Sequence, residues 1–174
     1  MRIVVTGGAG YIGSHAALSL LRTGHQVLVL DSLARGHAAA LDRVRQAAGN
    51  HAQSMTFERC EVGDREAVTE HLRGFGAEAV MHFAALAYVG ESVDDPLLYH
   101  WNNTAQVVRL LQSCRDAGVN RFVFSSTCAT YGEPQRVPIA ETEKQHPINP
   151  YGWSKLHVER VLADEHVARR RVGL

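Results

Sequence analysis

Tyr151 and Lys155 stand at i and i+4 of Tyr151-Gly152-Trp153-Ser154-Lys155. A helix would place both on one face, a single turn apart. An ammonium near a phenol favours phenolate and draws a pKa of ~10 toward neutrality, which turns a weak acid into a usable general base. The chain holds five tyrosines and two lysines, Lys144 and Lys155. An exposed pair of no consequence is the alternative for an isolated YxxxK, so context has to decide. Upstream, Ser125-Ser126-Thr127 closes an apolar run and can offer a hydroxyl to the same substrate oxygen. Strand-end hydroxyls also cap turns, and spacing alone leaves both roles open.

A second group of residues suits phosphate rather than proton transfer. Thr6-Gly7-Gly8-Ala9-Gly10-Tyr11-Ile12-Gly13 joins a β-type run to an amphipathic stretch, and Gly7, Gly10 and Gly13 read GxxGxxG. Glycines there permit a tight turn and close backbone approach, leaving helix N-terminal N–H groups to receive a pyrophosphate. The same pattern also serves as a ligand-free strand-to-helix turn. Asp31 ends the next β-type run, near the ~20-residue spacing expected of a carboxylate that binds an adenosine ribose. An acid at that point repels a 2′-phosphate and favours NAD over NADP. Arg35, four residues on, could serve a phosphate instead, and a solvated strand-end aspartate is the remaining alternative. A nicotinamide cation near Tyr151 would favour the phenolate as Lys155 does.

The elements that must position these residues follow from hydrophobic periodicity. Apolar, β-branched runs at Ile3–Thr6, Val27–Asp31, Met55–Cys60, Ala79–Phe83 and Arg121–Ser125 predict five strands. Helical patterns lie between and after them at 11–23, 38–48, 64–73, 96–117 and 150–169. Gly24, Gly49, Gly74 and Gly118 fall where a left-handed helix terminus is expected. Strand–helix alternation gives a parallel sheet covered on both faces, a doubly wound α/β fold. Residues 84–95 and 126–149 are expected as long loops after the fourth and fifth strands. Connections of that kind lie where such sheets bind ligands and point to function.

Composition excludes several other classes. There are 18 basic and 18 acidic residues, so nothing supports a broad nucleic-acid or anionic-membrane footprint. No apolar run approaches ~20 residues, and Met1-Arg2 leads straight into a strand, so neither membrane segment nor signal peptide is expected. Cys60, Cys114 and Cys128 form no CxxC pair, which suits a reducing cytoplasm. The ten histidines form no HxxxH or HExxH, and no metal is expected. Arg169-Arg170-Arg171 suits a helix C-terminus rather than a nucleic-acid patch. The length suits one domain, 1–174. Val172-Gly173-Leu174 reads as a sixth strand cut off after three residues, so a truncated chain is expected.

Taken together, Thr6–His15 (TGGAGYIGSH), Asp31, His82–Ser92 (HFAALAYVGES), Asn102-Asn103, Ser125–Pro134 (SSTCATYGEP) and Asn149–Lys155 (NPYGWSK) resemble the extended short-chain dehydrogenase/reductase family. Within it the chain is similar to the nucleotide-sugar 4-epimerases. The resemblance implies a Rossmann-like, NAD-binding domain that stops before the sixth strand and the C-terminal substrate domain. It implies epimerisation at C4 of a UDP-sugar (UDP-glucose/UDP-galactose or UDP-xylose/UDP-arabinose) by reversible hydride transfer through a 4-keto intermediate. By the family pattern, Tyr11 and Ile12 would lie along the pyrophosphate. Asp31 with Ser32, Leu33, Ala34, Arg35 and Gly36 would hold the adenosine ribose, and Glu61 and Val62 would meet the adenine. Phe83, Ala84, Ala85 and Ala87 would line the cofactor, with Asn102 near its pyrophosphate or ribose and Ser125 also in contact. Lys155 would hold the nicotinamide ribose, Tyr151 would be the acid/base, and Thr127 the bridging hydroxyl. Glu61 stands where the family has Asp, and Ala87 where some epimerases have Lys. A homodimer through the fourth and fifth helical stretches is implied for the full-length protein. An inactive NAD-binding fragment is one alternative. A 4,6-dehydratase is another, although Cys128-Ala129 offers no acid for elimination.

Overall fold

The computed structural model describes residues 1–171. Five strands, β1 (Arg2–Thr6), β2 (Gln26–Asp31), β3 (Met55–Arg59), β4 (Ala79–His82) and β5 (Phe122–Phe124), form one sheet in the order β3-β2-β1-β4-β5. Every neighbouring pair is parallel. The expected doubly wound sheet is therefore present, with its topological switch between β1 and β4. Register carries function here. Thr6 lies opposite Leu30 on β2 and His82 on β4, so the carboxyl ends of the three strands finish level.

Two apolar layers explain why β1, β2 and β4 are nearly continuous hydrophobic runs. On one face Ile3, Val5, Val27 and Val29 pack with Ala17 and Leu21 of α1 (Tyr11–Arg22) and with Leu41 and Val44 of α2 (Ala38–Ala48). On the other, Val4, Leu28, Leu30 and Val80 pack with Val68 and Leu72 of α3 (Arg65–Phe75) and with Leu110 and Cys114 of α6 (Gln106–Asp116). A strand buried on both sides cannot alternate polar and apolar residues.

The described chain forms two compact units. Met1–Ala85 with Arg109–Ser125 contains the whole sheet, and Leu86–Val108 with the chain from Ser126 onward makes the other. The second unit holds α4 (Val89–Asp94), α5 (Pro96–His100), a π-helical turn (Trp101–Ala105), a short 3-10 turn (Cys128–Tyr131) and α7 (Pro150–Arg171).

Local differences from expectation have physical causes. The stretch 84–95 contains α4. The 96–117 helix is interrupted by the π turn, so α5 and α6 are separate. A 3-10 turn, Gly49–Ser54, follows α2. Gly24, Gly49 and Gly118 take positive φ as expected, but Gly74 lies inside α3, and Gly76 at φ 64° closes that helix. No described helix is long and apolar enough to cross a membrane. The expected opening of a sixth strand, 172–174, lies outside the described residues.

Candidate functional site

At the carboxyl end of β1 the chain turns so tightly that side chains would collide with its own backbone. Gly7 sits at φ 72° and donates its N–H to Leu30 O at 2.9 Å. A Cβ on it would stand 2.4 Å from the backbone nitrogen of Ala84, so the segment after β4 lies directly against the glycine loop. Gly13 brings α1 equally close: its Cβ would be 2.2 Å from Gly7 O. Helix α1 starts at Gly10 without a side-chain cap and with no acid in its first turn. Its leading N–H groups therefore lack intrahelical acceptors and present partial positive charge. Tyr11 and Ile12 are exposed there, at 83% and 57%. Gly7 and Gly13 thus bring the end of β1, the Ala84 backbone and the first turn of α1 into close approach.

Asp31 is buried at the end of β2. Its Oδ2 accepts from Ala9 N–H at 2.9 Å and its Oδ1 from Leu33 N–H at 2.8 Å. Each oxygen keeps lone-pair capacity for a further donor, the arrangement a vicinal diol needs. Leu33 reaches this bond by adopting φ 63°, a left-handed conformation that costs energy for a side-chain-bearing residue. The following loop is pinned as well. Arg59 Nε donates to Ser32 O, Ser32 Oγ accepts from Ala34 N–H, and His37 N–H reaches Ala9 O. Arg35 is exposed, and Gly36 lies against Ala9 and the Asp31 carboxylate. Beyond β3, Glu61 is exposed and Val62 buried. Beyond β4, Phe83, Ala84 and Ala85 are half-buried, with Phe83 N–H bonded to Thr6 O. Ser125 N–H bonds to His82 O at 3.2 Å. His82 is itself buried and paired through Nδ1 with Thr6 Oγ1 at 2.6 Å, a structural histidine.

In the second unit the proton-transfer candidates share one helix end. Tyr151 and Lys155 lie in the first turns of α7. Tyr151 is half-buried, and Lys155 is only 3% exposed. Burial disfavours its ammonium and brings the pKa down from 10.5 to about 8. The side chain still carries its charge at neutral pH. Thr127 caps the turn Cys128–Tyr131, its Oγ1 accepting from Ala129 N–H at 3.1 Å and leaving the hydroxyl proton for another acceptor. That turn packs on α7 because residue 152 is glycine: a Cβ there would be 2.6 Å from Ala129 O. Cys128 is exposed, and Ser126 Oγ donates to Glu159 Oε1. Ala87 is exposed, and the Asn102 amide donates to Asn103 Oδ1 at 2.9 Å.

The residues that hold α7 in place escape a reading by spacing. Asn103 is buried and uses its whole amide: Oδ1 accepts from Leu86 N–H and Asn102, while Nδ2 donates to Leu86 O and to Ser154 Oγ at 3.1 Å. Ser154 in turn donates to Tyr151 O at 2.7 Å, and its carbonyl accepts from Thr104 Oγ1 at 3.0 Å. The π turn aims two consecutive side chains, Asn103 and Thr104, at the serine lying between Tyr151 and Lys155. The signals were present as Asn103 beside Asn102 and as Ser154 inside YGWSK, but neither type is diagnostic alone. Trp153 meets His146 edge-to-face at a ring separation of 6.1 Å and His157 at a tilt of 37° and 5.8 Å.

The family description "NAD dependent epimerase/dehydratase family" matches residues 3–170. The chain belongs to that family. Among similar members of the epimerase/dehydratase family, a probable UDP-arabinose 4-epimerase 3 of Oryza sativa subsp. japonica is 44% identical over 99% of this chain and 42% of its own length. A UDP-glucose 4-epimerase of Rhizobium leguminosarum bv. trifolii is 46% identical over 93% of this chain and 46% of its own. A crystal structure of UDP-glucose-4-epimerase from Stenotrophomonas maltophila, with bound NAD and formylated UDP-arabinopyranose, superposes with a TM-score of 0.92. It is 40% identical, with 97% of this chain and 49% of that one covered. The Brucella ovis UDP-glucose 4-epimerase in complex with NAD gives a TM-score of 0.87 at 43% identity, over 96% of this chain and 48% of that one. This epimerase/dehydratase chain thus spans about half the length, or less, of the relatives it matches.

Proposed function

We propose that residues 1–174 supply the NAD-holding and acid/base residues of a UDP-sugar 4-epimerase, an isomerase acting on UDP-glucose/UDP-galactose or UDP-xylose/UDP-arabinose. The observation that carries this reading is Tyr151 one turn before the buried Lys155 on α7. The relatives' names support the substrate class.

The residues present fit the cofactor. Gly7 and Gly13 let the end of β1, the Ala84 backbone and the start of α1 close up with no side chain between them, the first turn of α1 carries no acid to repel a pyrophosphate, and Asp31 offers two fixed oxygens to a ribose diol. Ser32–Gly36 would surround that ribose, Glu61 and Val62 would take the adenine, and Phe83, Ala84, Ala85, Ala87, Asn102 and Ser125 would line the remainder. Bound NAD supplies the hydride acceptor and donor at C4 of the sugar. The chain's own residues handle the proton. Tyr151 takes it from the 4-hydroxyl and later returns it, Thr127 bridges the two oxygens, and the Lys155 ammonium stabilises the negative charge on the phenol. Positioned proton transfer of this kind contributes ~10²–10⁴-fold. Elimination of water is not supported, because Cys128 and Ala129 follow the hydroxyl where an acid pair would be needed.

Free cysteines at 60, 114 and 128 support a reducing, cytoplasmic setting. Exposed Leu97, Leu98 and Trp101 on α5 and the π turn, with Trp153 and Val167 on α7, support homodimerisation of the full-length protein through these helices.

The test is NAD retention and UDP-galactose or UDP-arabinose conversion by the purified chain, alongside Tyr151→Phe. Conversion that disappears in Tyr151→Phe while NAD stays bound supports the assignment, and unchanged conversion overturns it. Retention without any conversion would assign this chain cofactor holding alone.

A further inference from the structure

Tyr99 is the largest side chain wholly shut off from solvent, at 0% exposure, and nothing above gives it a task. It lies on α5, a single helical turn opened by Pro96 and capped by Asp95, whose Oδ1 accepts from Leu98 N–H at 3.0 Å. A buried phenol requires partners for its hydroxyl. That of Tyr99 accepts from Tyr88 N–H at 2.9 Å and donates to Glu91 Oε2 at 2.8 Å. The acceptor is a carboxylate, which makes the second bond charge-assisted and strong. Both partners belong to the start of α4, so the ring is held at α5 by its Cα and at α4 by its oxygen. Its ring stands 6.3 Å from that of Tyr151 at 87°, the edge-to-face geometry aromatic pairs prefer.

A general base must project its oxygen to one point. Hydrogen bonds through Ser154 fix the backbone of Tyr151, but they do not fix the plane of its ring. We propose that Tyr99 is a positioning residue for Tyr151: clamped at its hydroxyl by Tyr88 and Glu91, it forms the wall that sets the orientation of the Tyr151 ring. The catalytic meaning of that orientation rests on the function proposed above, but the coupling of the two rings does not.

The experiment is NMR of the full chain with ¹³C-labelled tyrosine rings, five signals with Tyr151 assigned through Tyr151→Phe. Tyr99→Leu removes the wall, Tyr99→Phe keeps the ring but frees it from both partners, and Glu91→Gln keeps an acceptor while removing its charge. The expected result is a graded change at Tyr151, largest for Tyr99→Leu and smallest for Glu91→Gln. Its ring signal should lose the ring-current displacement and its flips should become faster. If Tyr99→Leu does not fold, Tyr99→Phe and Glu91→Gln decide. A Tyr151 ring signal and flip rate unchanged in every folded variant, with only the melting temperature lowered, would overturn the proposal. None of these readouts needs NAD or turnover, so a failure of the epimerase reading would be seen separately.

Discussion

Lys155 and Asn103 are buried polar residues for opposite energetic reasons. Burial of the Lys155 ammonium is unfavourable: its pKa falls from 10.5 to about 8, so the unfolded chain binds a proton that the folded chain lacks between those values. Stability should therefore rise with pH from about 8 to 10.5, by ~3 kcal/mol in all, while below about 8 the folded state carries the whole cost. Cys60 acts oppositely. Burial and neighbouring acids raise its thiol from 9.0 to about 11, so stability falls through that range. Denaturation of the native chain and Lys155→Met across pH 7–11 isolates the lysine, and a rise that persists in the variant would refute this account. Asn103 makes four hydrogen bonds inside the fold. Asn103→Leu would strand Leu86 N–H and C=O and should cost about 2–4 kcal/mol in urea unfolding, against about 1 kcal/mol for Ser154→Ala. Equal losses would mean that the Leu86 bonds matter little.

Helix α1 shows how an element's approach depends on a missing side chain. Gly13→Ala would put a methyl 2.2 Å from Gly7 O and 2.8 Å from Gly8 Cα, backbone atoms with nowhere to yield. The expected outcome is a loss of about 2–4 kcal/mol, together with loss of NAD retention. Gly24 ends the same helix at φ 80° with nothing within 4 Å of its Cβ position, so Gly24→Ala should cost only about 1 kcal/mol and spare binding. Calorimetry of both variants with and without NAD separates steric exclusion from backbone strain. The periodicity that predicted α1 so closely also predicted one helix over 96–117, where the structure has α5, a π turn and α6. Apolar spacing of three to four residues persists through a single π turn, so the pattern hides it. The turn is set by where Asn103 and Thr104 find partners on another helix.

For the molecule as a whole, the predicted homodimer is the property most open to direct measurement. Leu97 is 79% exposed and Trp101 59%. Large apolar groups in such a cluster mark an association surface more often than a bare one. Sedimentation equilibrium should show a dimer for the native chain and a monomer for Leu97→Glu combined with Trp101→Glu, with the fold unchanged by circular dichroism. A native monomer at high micromolar concentration would remove the proposal.

The sequence by itself determined the strand count, the parallel sheet with its two covered faces, the glycine cradle and the acid that ends β2. These follow from the order of short-range patterns, and burial on both faces leaves a parallel strand little choice of composition. It also placed Tyr151 and Lys155 a turn apart, because helix pitch alone does that. Only the tertiary structure decided that Lys155 is buried and its ammonium disfavoured, that both Asp31 oxygens are held by backbone N–H groups, and that Asn103, Ser154 and Tyr99 pack or bond around the start of α7. Those facts depend on residues brought together from distant parts of the chain, and a hydrogen-bond partner 51 positions away leaves no periodic trace in either segment.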